Sequence, residues 1–193
     1  MPKLTKHTLA GNAGTIFMLT LFTVVWAVFV PVYIGWNPVT IVCLAVFVVY
    51  AIWLYIAATV TIHAVRKLPD SPITEDEKRM GEHIAVVFGI EIILIIAVIV
   101  VANIIGKYNY ITPAIMFVVG AHCIPLGIFI KKRLHIVIGI IMTAVAVAAI
   151  ILVAFSQRIH QTIGICALAG ALCVAVMATY LLYSVRIELK NSK

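Results

Sequence analysis

Polar residues in this chain are gathered into a few short clusters, and between them run stretches of about 20 residues that are almost wholly apolar. A helix rises ~1.5 Å per residue, so a stretch of that length matches a hydrocarbon core ~30 Å thick. Six can be placed, at about 12–34, 39–62, 84–105, 112–130, 134–154 and 162–185. The pattern predicts an all-α, polytopic membrane bundle of six transmembrane helices. These runs take up most of the 193 residues, so residues 1–193 read as a single transmembrane domain. The start, MPKLTKHTLAGNAGT, is polar and the first run is long enough to remain as an anchor, so no cleaved signal peptide is expected.

Composition agrees with the pattern. Charged residues are 11% of the chain and hydrophobic ones 64%, whereas a soluble domain carries roughly 25% charged residues. The formal charge of +7 is unevenly placed. Lys3, Lys6, Arg66, Lys67, Lys78, Arg79, Lys131, Lys132, Arg133, Arg186, Lys190 and Lys193 fall on one side of the predicted membrane, and only Lys107 and Arg158 on the other. By the positive-inside rule both termini are cytoplasmic, which an even number of spans requires. The basic side would contact anionic lipids of the cytoplasmic leaflet. No folded basic module suited to nucleic acid is present.

The longest polar connection is the cytoplasmic loop 63–83, HAVRKLPDSPITEDEKRMGEH. Thr74 ahead of Glu75, Asp76 and Glu77 predicts a helix start there, leading into the third span, because acidic residues favour a helix N-terminus. This loop is also where a cytoplasmic partner would dock. Small residues recur four apart at Gly81, Ala85 and Gly89, and at Ala167, Ala171 and Ala175. Such stripes let backbones approach, either within the bundle or between copies of a homo-oligomer. Cys43 and Cys166 both lie near the outer ends of their helices and could pair, although a cysteine in an apolar run is ordinarily a packing residue.

One carboxylate breaks the apolar pattern. Glu91, in FGIEIILIIAV, is the only Asp, Glu, Lys or Arg deep inside a predicted span. A charge there costs about 2.5–3.5 kcal/mol on insertion scales, so it should face the bundle interior and find a partner. Glu91 lies seven residues into the third span, and His122 lies eight residues from the end of the antiparallel fourth. Matched depth across a short connection makes His122 the expected partner. Thr20 and Thr143 fall at the same level and would add hydroxyls. Pro125 cannot donate its backbone bond and should kink the fourth helix, freeing the Ala121 carbonyl beside His122. These residues form the expected ion, proton or substrate pathway.

A metal enzyme is the less favoured reading. Glu82, His83, His63 and His122 could supply ligands, but no H-E-x-x-H or comparable spacing occurs. His83 and Glu91 are about 80° out of line around a helix. His135 is assigned to the cytoplasmic loop KKRLH. No catalytic residue, metal or cofactor is expected.

The G-I-E of the third helix and PAIMFVVGAHCIPLG of the fourth resemble a pattern in small multipass bacterial membrane proteins of unassigned function. In these, a G-I-E helix is followed by one reading P-x5-V-G-x-H-x-x-P-L. The resemblance spans about residues 82–139 and falls on Gly89, Glu91, Pro113, Gly120, His122, Pro125 and Leu126. It implies a six-helix protein of the bacterial plasma membrane and stresses the same Glu91 and His122, but it brings no activity with it. The expectation from residues and resemblance together is a transporter or channel-like protein with an intramembrane Glu–His site. The alternative is a non-catalytic scaffold or partner subunit in which that pair is structural.

Overall fold

The computed structural model describes residues 5–69, 72–130, 132–155 and 157–191, nearly all of them helical. The helices are α1 (Lys6–Ile34), α2 (Pro38–Arg66), α3 (Glu75–Ile104), α4 (Ile111–Phe129), α5 (Arg133–Phe155) and α6 (Ile159–Asn191), with a 3-10 turn at Tyr108–Tyr110 leading into α4. All six are long and apolar enough to cross a membrane.

Four helices outrun their apolar stretches at the basic end. α1 begins at Lys6, α2 continues to Arg66, α3 begins at Glu75 and α6 continues to Asn191. Hydrophobicity marks only the part of a helix that lipid covers, whereas caps decide where the backbone stops coiling. Thr74 illustrates this. Its hydroxyl accepts from the Glu77 N–H while the Glu77 carboxylate accepts from the Thr74 N–H, a reciprocal capping box. The polar stretch 63–83 is therefore mostly helix, with a connection of only 67–74, and Asp70 and Ser71 lie outside the described residues.

At the opposite end, α1 runs through Pro31 to Ile34 and stops at Gly35, whose φ of 104° suits a residue without Cβ. Asn37 then caps α2, its side chain accepting from the Val39 and Thr40 N–H groups.

α6 is the hub of the bundle, packing against α1, α2, α4 and α5. Its stripe Ala167–Ala171–Ala175 is buried, and Gly170 lies so close to Trp26 of α1 that an added Cβ would stand 2.9 Å from the indole. α4 and α5 are drawn together by Gly120, Gly127 and Gly139, where an added Cβ would come within 2.7 Å of the facing helix at each position. α3 differs from the rest. It packs along α4 and the 3-10 turn and, among the described residues, makes no extended contact with another helix. Its own stripe is open at both glycines, since a Cβ at Gly81 or Gly89 would have no neighbour within 4 Å among the described residues.

The helix ends gather in two groups. At the basic end Leu9, Val65 and Val185 pack with Leu68 and Leu189, and the Lys132 ammonium stands 6.0 Å from the Tyr180 ring centroid. At the other end Tyr33 hydrogen-bonds Thr112 at 2.9 Å and stacks on His160.

Candidate functional site

Apart from Ala102, Glu91 is the only fully buried residue of α3, with 8% of its surface exposed. Between Ile84 and Ala102 the rest of the helix is apolar and open on most sides. A carboxylate on such a helix has one polar direction available, toward α4. There its Oε1 stands 3.1 Å from Nδ1 of His122, both side chains being 9% exposed. Antiparallel neighbours with ends in register bring residues of equal depth together, and these two meet as their depths require.

Phe88, one turn ahead of Glu91, covers the imidazole, with ring centroids 4.8 Å apart and planes 58° apart. His83 and Phe129 form a second ring contact between the same helices at 5.3 Å, nearer the basic end. The Glu91–His122 approach is an ion-pair distance, but it lies off the line a hydrogen bond needs. Neither imidazole nitrogen has a hydrogen-bond partner among the described residues. Most buried polar groups in folded proteins are satisfied, so this imidazole is exceptional. The pair can hold its proton in two ways, as carboxylic acid beside neutral imidazole or as carboxylate beside imidazolium. Each is compatible with burial because neither leaves a net charge.

The two threonines expected at this level do not join the pair. Thr20 donates to the Ile16 carbonyl at 2.8 Å and Thr143 to the Gly139 carbonyl at 2.8 Å. A hydroxyl inside a membrane helix satisfies itself locally by bonding the carbonyl four residues back. Thr143 instead serves the seam, its backbone and hydroxyl lying against Gly120. α4 remains helical through Pro125, and Gly127 just beyond it receives Ile136 and His135 of α5.

His135 corrects the sequence reading. It does not lie in a loop: α5 begins at Arg133, and His135 sits in its first turn with 2% exposure and Nδ1 unpartnered. The signal was available, because a tight turn between antiparallel helices needs few residues and KKRLH has more than enough. His63, Glu82 and His83 are exposed, and among the described residues no three His, Cys, Asp or Glu side chains converge in a metal-binding group. The four cysteines are free, so Cys43 and Cys166 are not joined.

A second polar cluster lies at the basic end, in the polar turn that precedes the apolar part of α3. The Glu77 carboxylate accepts from the Thr5 hydroxyl and, at 2.6 Å, from that of Thr8, besides its capping bonds to Thr74. The hydroxyls of Thr5 and Thr8 hold its carboxyl well below the usual range, at about 2. This clasp ties the start of α1 to the start of α3.

Two apolar grooves flank the bundle. One of about 860 Å³ runs between α2, α6 and the first turn of α5, past Cys43, Tyr50, Leu134, Leu172 and Tyr183. The other, of about 580 Å³, follows the α3–α4 seam from Lys107 and Tyr110 inward to Leu94. Comparison with known proteins finds no matching family model, no matching curated protein and no matching solved structure.

Proposed function

We propose that this protein is a small multipass transporter or channel-like protein of the bacterial plasma membrane, with both termini cytoplasmic. In this reading Glu91 takes up and releases a proton or a cation, and His122 is its partner. One observation carries it: a buried imidazole stands beside the single intramembrane carboxylate with its hydrogen-bonding capacity unmet. A pair whose only task is to pin two helices gains most from full, linear hydrogen bonds. A pair that exchanges a proton or admits a ligand needs spare capacity, and ionisable residues inside a membrane are in most cases part of a pathway. The basic loops would hold the protein against anionic lipids. The polar stretch 63–83 and the open stripe of α3 are the surfaces for a cytoplasmic partner or a second copy.

The test is flux in proteoliposomes under an imposed pH gradient. Wild type should dissipate the gradient, and Glu91→Gln should lose at least about tenfold of that rate, if one charge-bearing site limits passage. Equal rates would rule the reading out. The scaffold alternative draws support from the grooves, because neither is lined by Glu91 or His122. It expects no flux from wild type and a lower Tm for Glu91→Gln.

A further inference from the structure

We infer that the α3–α4 groove is the way a ligand reaches Glu91, that it is entered sideways from the bilayer, and that its ligand is a lipophilic organic cation. The inference rests on the Glu91–His122 site proposed above and adds the route and the chemical class of what binds.

Position comes first. At 100° per residue, Glu91, Leu94, Val98, Ala102 and Ile105 fall within an arc of about 80° on α3. All but Glu91 line the groove. The carboxylate therefore stands on the groove's own face of the helix, about one turn inward of its last lining residue, Leu94. Across the seam the α4 wall is supplied by Tyr110 and Ala114, with His122 two turns further in.

Shape and mobility follow. A volume of about 580 Å³ falls within the range of small-molecule sites, roughly 300–1,000 Å³. Leu94, Ala97, Val101 and Ile105 are exposed along its rim, so the groove opens on the side that lipid covers. Its two walls are unequal. α4 is locked to α5 by close glycine contacts, whereas α3 has no other extended helix contact. Widening the groove displaces lipid and leaves the bundle intact.

Chemistry selects the ligand. The walls are apolar except for Lys107 and Tyr110 at the mouth, and the Glu91 carboxylate lies about one turn beyond the last lining residue, Leu94, on the same face of α3. An inorganic cation would have to shed its water shell with nothing along the walls to replace it. A cation whose charge is spread under apolar groups sheds little. The Lys107 side chain is exposed at the end of the groove, so lateral entry avoids it. Cation and proton compete for the Glu91 carboxylate, so binding of the ligand displaces a proton held by the Glu91–His122 pair to solvent. The titratable groups facing Glu91 from α4 are His122, which Phe88 covers, and the thiol of Cys123.

The test uses the full chain in nanodiscs with tetraphenylphosphonium as probe and tetraphenylborate, an anion of the same shape, as control. The phosphonium should bind saturably, more tightly as pH rises, with release of one proton per cation, and the borate should not. Ala97→Trp and Leu94→Trp, both on the exposed rim, should weaken binding about tenfold while leaving the infrared protonation signal of Glu91 unchanged. The inference is overturned if wild type fails to bind the phosphonium, if the borate binds equally, or if both tryptophans leave affinity unaltered. The proton flux of wild type against Glu91→Gln is measured without the probe, so a failed route and a failed site are told apart.

Discussion

At the scale of single residues, the question is whether Glu91 and His122 need each other to hold the fold. Removing one partner leaves the other buried and unmatched, which costs about 1–3 kcal/mol for a polar group and more for a charge. Replacing both by apolar side chains removes the penalty with the interaction. We therefore expect His122→Ala to lower the Tm in detergent, and the double variant Glu91→Leu/His122→Phe to regain most of the loss. The same double variant should show no flux, and a double variant as active as wild type would contradict a role for the pair. Glu77 is the complementary case, a half-buried carboxylate tied by hydroxyls at the polar end of the bundle. Its folded value, about 2, lies below the ordinary 4.5, so its contribution is present in full above about 4.5 and fades as pH falls toward 2. Thr8→Val should loosen the start of α1 at neutral pH, seen as faster amide exchange over residues 6–10, and the difference from wild type should shrink below pH 3. The Glu91–His122 encounter was legible from sequence because depth in a membrane is a one-dimensional count. The Glu77 clasp was not, since nothing in the sequence says that the first residues of α1 fold down beside Thr74.

Elements show why some helices are fixed and one is not. The α4–α5 seam has no room at Gly120, where an added Cβ would lie 2.7 Å from the Thr143 nitrogen and 2.9 Å from the Met142 Cβ. Both obstacles are close to backbone and cannot swing aside. Gly120→Ala should therefore cost roughly 1–3 kcal/mol by overpacking. Gly89→Ala, with open space around it, should be neutral or stabilise by up to about 1 kcal/mol through helix propensity. Thermal melts of the two variants in one detergent make the comparison, and a Gly89→Ala loss as large as that of Gly120→Ala would mean that a second chain covers α3. Periodicity could flag both small-residue stripes but could not sort them. Ala167–Ala171–Ala175 became an internal seam, while Gly81–Ala85–Gly89 faces outward. The difference lies in what stands opposite, and spacing along one helix carries no record of that. Equal depth places Thr20 and Thr143 on the level of the pair, but each hydroxyl donates to the carbonyl four residues back, a bond that depth along the chain does not reveal.

For the whole molecule, a bilayer solvent reverses the usual sorting of inside from outside. Lipid is as apolar as any core, so the most hydrophobic helix has least reason to be buried. The apolar 18-residue stretch of α3 has the highest mean hydropathy of the six, 3.3, and only 6% of it is buried, whereas that of α6, at 2.3, is 56% buried. The hub and the outlying helix were thus partly written in the composition, through the alanines and glycines of α6 and the isoleucines and valines of α3. The order of packing was not, because six helices with short connections admit several arrangements. Orientation depends on a different force. Each Lys or Arg near an anionic leaflet gains about 1 kcal/mol, and the sequence assigns twelve basic residues to one side of the membrane and two to the other. No single charge reversal should turn the molecule over. We expect Ile73→Cys, between α2 and α3, to resist an impermeant maleimide in intact cells and to react once the membrane is opened. Gln157→Cys, between α5 and α6, should react in both conditions. The native cysteines all lie within helices, two buried and two half-buried, and give little background. Labelling of residue 73 from outside would invert the topology and place the mouth of the α3–α4 groove, at Lys107, on the cytoplasmic face.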